Sequence, residues 1–132
     1  MRGIWWMVLI GLLLWSLAGC TGTPAASPVT AKQILASAAR YQDQLITLRG
    51  YGLITATLPL CKGYIGLDTR TQFVDAENNL ITAVDRVGSG KAIKGDALRT
   101  FHAYVRVFDG ELGCPGQTRR ERIVYLEIVG VE

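Results

Sequence analysis

The stretch LITLRGYGLITAT, residues 45–57, decides the fold. Ile46, Leu48, Gly50, Gly52 and Ile54 fall on one face of an extended chain, with Thr47, Arg49, Tyr51 and Leu53 opposite. A period of two marks a strand buried on one side, because successive side chains of a strand point to opposite faces. The glycines at 50 and 52 predict strong curvature or a bulge, which a small closed barrel requires of its long first strand.

Downstream the strand pattern continues. Gly63 to Asp68 and Thr71 to Asp75 read as extended segments around a polar turn at Thr69 and Arg70. The run from Asp75 to Asn79 is a turn by composition, and Leu80 to Val84 is a further strand. Val87 to Gly95 holds three glycines and two lysines and reads as a loop. Phe101 to Phe108 sets Phe101, Ala103, Val105 and Val107 against His102, Tyr104 and Arg106, and Ile123 to Val131 closes the pattern with Val124, Leu126 and Ile128 inside. About five strands result, so the expected class is all-β: a five-stranded barrel, with a small β-sandwich as the alternative.

Upstream, Thr30 and Gln33 have the spacing of a capping box, and Ile34, Leu35, Ala38 and Tyr41 recur at helical spacing. A short helix over Ala31 to Tyr41 is predicted. Before it, residues 20–29 carry no charge and almost nothing large enough to bury, the composition of a flexible tether. Ile4 to Leu17 is an almost unbroken apolar run after Arg2, too short to span a bilayer comfortably and suited to a secretory core.

That run ends in Leu17, Ala18, Gly19 and Cys20, which resemble the lipobox of bacterial lipoproteins. The resemblance implies that residues 1–19 are a signal peptide and that the Cys20 thiol carries a lipid. The mature chain would then be anchored by its lipid in a bacterial cell envelope, facing the periplasm or the exterior. Thr21 after the cysteine, rather than aspartate, implies outer-membrane sorting in a host that has one. Residues 30–132 would form the folded domain.

Tyr41, Asp43, Gln44, Ile46, Leu48, Arg49 and Gly50 resemble the opening of small bacterial OB-fold proteins, in which a helix and a turn launch the first barrel strand. The likeness extends loosely to residues 101–107 and 125–128. It implies an OB-like barrel with its helix at the N-terminus. No clear helix falls between the third and fourth strands, a departure from the nucleotide-binding members, and fold analogy supplies no function.

With Cys20 lipidated, Cys61 and Cys114 remain as one pair in a compartment that permits oxidation, and a disulfide is expected. A redox or metal pair is the alternative. There is no Cys-x-x-Cys, and His102 is the only histidine, so no metal or other cofactor is expected.

The chain has 14 Lys and Arg against 11 Asp and Glu, a net +3. Arg119, Arg120 and Arg122 form the only tight basic cluster, with Glu121 inside it, and read as a solvated loop. A nucleic-acid partner would call for a concentrated basic stripe. Catalysis would need a nucleophile with a base, and His102 sits in mid-strand while Ser89 has no partner visible in sequence. Asp68, Asp75, Glu77 and Asp85 fall at strand ends, where turn formation and solubility account for them. The sequence therefore reads as a non-enzymatic module.

One face stands out. Arg49 and Tyr51 on the first strand, with His102, Tyr104 and Arg106 on the fourth, would lie together if those strands pair. Tyrosines among arginines can anchor a protein, peptide or glycan, and they are also ordinary residues for covering a strand surface. A binding module using this face is the leading expectation. A structural subunit of an envelope complex comes second and a small hydrolase third.

Overall fold

A computed structural model describes residues 27–56 and 61–132. The lipobox residues Leu17, Ala18, Gly19 and Cys20 lie outside the described residues. Two short helices, α1 (Ala31–Ala36) and α2 (Ala38–Tyr41), precede five strands: β1 (Leu45–Thr55), β2 (Thr71–Asp75), β3 (Leu80–Asp85), β4 (Arg99–Cys114) and β5 (Gln117–Val131). The strands close into a ring in the order β1-β2-β3-β5-β4. All neighbours are antiparallel except β3 and β5, where Ala83 faces Leu126 and Asp85 faces Ile128. This is an OB-like barrel with its helices at the N-terminal side, and the closed ring rules out the sandwich. No helix lies between β3 and β4.

β1 serves two neighbours in succession. Leu45 to Gly50 pair with β4, and Gly50 to Thr55 pair with β2. The change of partner needs a bend, and the bulge supplies it: Gly50 faces Asp75 while Gly52 faces Val74, so Tyr51 is the extra residue. A Cβ on Gly50 would meet the Phe73 ring and the Val74 carbonyl, and Gly52 stands at φ +115° against the Ala92 carbonyl. The slip also corrects the expected face. Leu53, not Ile54, turns into the core, at 7% exposed, because one extra residue exchanges inside and outside for everything beyond it.

The core is continuous through the ring. Leu48, Phe73, Phe101, Val105, Leu126 and Ile128 are fully buried, and the Phe73 and Phe101 rings meet edge to face with centroids 5.0 Å apart. Each such side chain contributes roughly 1.5–3 kcal/mol by leaving water. Ala31 and Ile34 of α1 extend this core.

Helix and loops depart from expectation in three places. The capping box at Thr30 and Gln33 forms, but the predicted single helix breaks at Ser37, whose φ of −142° lies outside helical space. Gly63 to Asp68 is not a strand. Only Ile65 pairs, with Gly113, and Gly66 at φ +96° then turns the chain away. Arg119 to Arg122 lie within β5 rather than in a loop. At the tether's end, the Val29 amide donates to the Thr47 carbonyl at 3.1 Å, so this residue is fastened to β1.

Asp75 forms its turn as expected but is buried rather than a solubility residue. At 2% exposed, its carboxylate accepts from the amides of Ala31, Glu77 and Asn79 and from the Asn79 side chain. The first of these bonds ties the start of α1 to the β2–β3 turn. A buried carboxylate is tolerable only with such a full set of donors.

The β3–β4 loop is a loop as expected, yet it is anchored. Ala92 is fully buried, and Arg99 gathers the carbonyls of Lys91, Ile93 and Tyr51 at 2.5, 2.6 and 3.2 Å.

Beyond Val105 on β4 and Leu126 on β5, the two strands pair with each other as far as Cys114 opposite Gln117, with no third strand of the barrel alongside. This two-stranded arm leaves the barrel, and the β1–β2 segment reaches it. Cys61 and Cys114 form the expected disulfide, with Cα atoms 5.9 Å apart. Beside it, Ile65 and Gly113 exchange both backbone hydrogen bonds at 3.1 Å.

Candidate functional site

The pairing of β1 with β4 places most of the candidate face as a single ribbon. Arg49 faces Thr100, Thr47 faces His102, and Leu45 faces Tyr104, all on the outside of the barrel because Ile46, Leu48, Phe101 and Ala103 occupy the inside. Arg106 continues the row on β4. Tyr51 sits at the other end, displaced by the bulge.

The lower part of this ribbon is internally engaged. The Arg106 guanidinium donates to Asp43 at 2.9 Å and to Glu127 at 3.2 Å, and stands 4.7 Å over the centre of the Tyr104 ring. The hydrogen bonds to Asp43 and then Glu127 push its ionisation further above the usual arginine value. Arg86 approaches the other oxygen of Glu127 at 3.8 Å. His102 lies over Gly130, with Nδ1 3.3 Å from the Thr47 hydroxyl and Nε2 3.3 Å from the Glu132 carboxylate.

Thr47, His102 and Glu132 thus line up as hydroxyl, imidazole and carboxylate. Their setting is that of a strand surface. The Thr47 hydroxyl stands on an exposed position of β1, and the Glu132 side chain is 74% exposed. The described residues contain no group of three or more His, Cys, Asp or Glu able to hold a metal.

The upper part is different. The Arg49 side chain makes no hydrogen bond or ion pair among the described residues, whereas its own carbonyl accepts from the Ala76 amide. Tyr51 lines an open depression of about 250 Å³ with Asn78, Lys94, Gly95 and Asp96. Its carbonyl is held by Arg99 and by the Gly95 amide at 3.2 Å. The Tyr51 backbone is therefore fixed by one side-chain and one backbone donor, while Asn78, Lys94 and Asp96 are exposed.

Of the five residues proposed from sequence, the structure brings Arg49, His102, Tyr104 and Arg106 together and sets Tyr51 at the end of their row. Asp43 and Glu127, which engage Arg106, and Glu132, which engages His102, were not foreseen as parts of the face. Nor were Asn78, Lys94 and Asp96, which come from two separate loops and leave no spacing signal. No family model, curated protein or solved structure matches the chain.

Proposed function

We propose that the chain is a membrane-anchored, extracytoplasmic lipoprotein acting as a non-enzymatic binding module, with Arg49 and Tyr51 at the centre of the surface that meets a protein, peptide or glycan. The observation that carries this reading is the contrast along the β1–β4 ribbon. Arg106 and His102 have the chain's own carboxylates as partners, while Arg49 has none among the described residues and lies two positions along β1 from Tyr51, which walls a depression. An unengaged guanidinium with an aromatic ring and mixed polar groups suits recognition of a polar ligand with an apolar side. The Leu17-Ala18-Gly19-Cys20 sequence supports the anchor, and the Cys61–Cys114 bridge supports an oxidising compartment.

Intact mass and membrane fractionation of the expressed protein, beside Cys20→Ser, test the address. Acyl mass lost together with membrane association in the variant is the expected result. Partner capture from isolated envelopes then tests the surface: Arg49→Ala with Tyr51→Ala is expected to lower capture at least tenfold, with Arg106→Ala much less affected. Equal losses in both variants, or none in either, would sink the assignment of the site.

The structural-subunit reading draws on a different feature, the arm that β4 and β5 extend beyond the barrel. Crosslinks to an envelope protein that map to residues 107–124 rather than to Arg49 and Tyr51 would favour it.

A further inference from the structure

The helical segment between the tether and the barrel is one-sided in charge. From Thr21 to Gln42 the chain contains Lys32 and Arg40 and no aspartate or glutamate; the first acid, Asp43, is engaged by Arg106. Ala31 and Ile34 face the barrel, while Lys32, Leu35, Ala36, Ala39 and Arg40 are exposed, Leu35 to 51%. Neither cation has an ion-pair partner among the described residues, and Arg40 instead stands 5.8 Å over the ring of Tyr41.

The position of this face matters as much as its composition. Val29 is fastened to Thr47, so nine peptide links separate Cys20 from that fixed point. A chain of that length reaches at most about 30 Å fully extended. α1 begins two residues later and cannot be farther from the anchored lipid than that reach plus its own width.

We propose that the exposed α1–α2 face, Leu35 flanked by Lys32 and Arg40, docks on the anionic phospholipid surface that holds Cys20. The inference rests on the lipid-anchor reading above. Lysine and arginine are drawn to anionic headgroups, and an apolar side chain between them enters the boundary with the acyl chains. A second copy of the chain is a poor occupant, since its own face carries the same uncompensated charge. Docking fixes the orientation of the barrel on the membrane.

The mature sequence offers a clean reporter. Trp5, Trp6 and Trp15 all fall within residues 1–19, so a processed chain contains no tryptophan. Leu35→Trp would then be its only one. A comparison variant, Ile65→Trp, sits where Ile65 bridges Gly113, eight residues along β4 from Val105, which Gln42 bridges at the end of α2. Both lipidated proteins are reconstituted in vesicles of phosphatidylethanolamine and phosphatidylglycerol with brominated acyl chains.

The expected result is blue-shifted emission from Leu35→Trp, quenched at least twofold more than Ile65→Trp, with the excess reduced by half or more when Lys32→Glu and Arg40→Glu are added. Equal quenching at the two positions in acylated protein would overturn the docking. Quenching at Leu35→Trp that survives charge reversal would overturn the basic face as its cause. Intact mass of the same samples separates these failures from a failure of the anchor itself, which would show as absent acyl mass.

Discussion

β4 and β5 are one hairpin with two different structures along its length. In the barrel half, Phe101, Ala103, Val105, Leu126 and Ile128 are fully buried, and each strand has a second neighbour in β1 or β3. In the arm, Leu112 is the one buried hydrophobic side chain among the described residues, and the cross-strand contacts include the Arg120–Asp109 pair at 2.9 Å. From Ala103 opposite Ile128 to Cys114 opposite Gln117 the pairing runs through both halves without a shift of register. What changes is the apolar surface available to the two strands, so regular hydrogen bonding alone does not define the domain. Isolated two-stranded ribbons are marginal in water, and this one is held by a disulfide near its tip.

The largest expected effect falls on the barrel half. Phe101→Ala removes a fully buried ring that packs on Phe73 and should cost about 3–5 kcal/mol, measured as a lowered denaturant midpoint. Loss of the arm's pairing with the barrel intact would break the comparison, because the core would then not be the shared foundation of both halves.

Next is the clamp. Cys61→Ser with Cys114→Ser opens a bridge spanning 53 positions and should cost about 2–4 kcal/mol. Amide exchange is expected to accelerate first at residues 107–119 and in the segment around Ile65. Uniform acceleration across the barrel would show that the bridge stabilises the whole domain rather than the arm.

Asp75→Ala leaves the buried amide of Ala31 and the part-buried amide of Asn79 without their acceptor, an effect of about 1–3 kcal/mol. It should free α1 while leaving the arm untouched, which amide exchange at Ala31 to Ile34 would report. Arg120→Ala, by contrast, removes an exposed ion pair and should cost no more than about 0.5 kcal/mol in thermal unfolding.

The smallest effect is electrostatic and local. Arg70 donates twice to Asp68, at 2.9 and 2.7 Å, and these hydrogen bonds hold the Asp68 carboxyl below its usual range. A depressed carboxylate stabilises the fold above its unfolded pKa of about 3.9 and loses that contribution as pH falls through the folded value. Both groups are partly exposed, so the change should be confined to the β1–β2 segment. An NMR titration in which Arg70→Ala leaves the Asp68 midpoint unmoved would remove the pair as its cause.

The barrel was legible where one face of a strand meets one core. Alternation located β2 and β3 closely and the barrel halves of β4 and β5, and the paired glycines announced the bend of β1. The arm was not legible, because charges such as Asp109, Glu111, Arg120 and Arg122 carry no apolar alternation and resemble loop composition. Leu53 was misplaced because a bulge changes the parity of a strand without changing its composition. On the candidate face, the β1–β4 row followed from pairing two alternating strands. The depression beside Tyr51 did not, since Asn78 and Lys94 come from two separate loops that are each bonded to β1.

The carbonyls gathered by Arg99 bear on how this scaffold could be engineered. By composition the whole β3–β4 connection looks replaceable, yet its halves are not equivalent. Gly88 to Gly90 are exposed and a side chain added at Gly88 would meet nothing, so a foreign peptide inserted there should leave the barrel standing. Immediately after, Lys91 and Ile93 supply carbonyls that Arg99 holds and Ala92 is buried in the core, so a graft at that point would unseat Arg99 and expose Ala92.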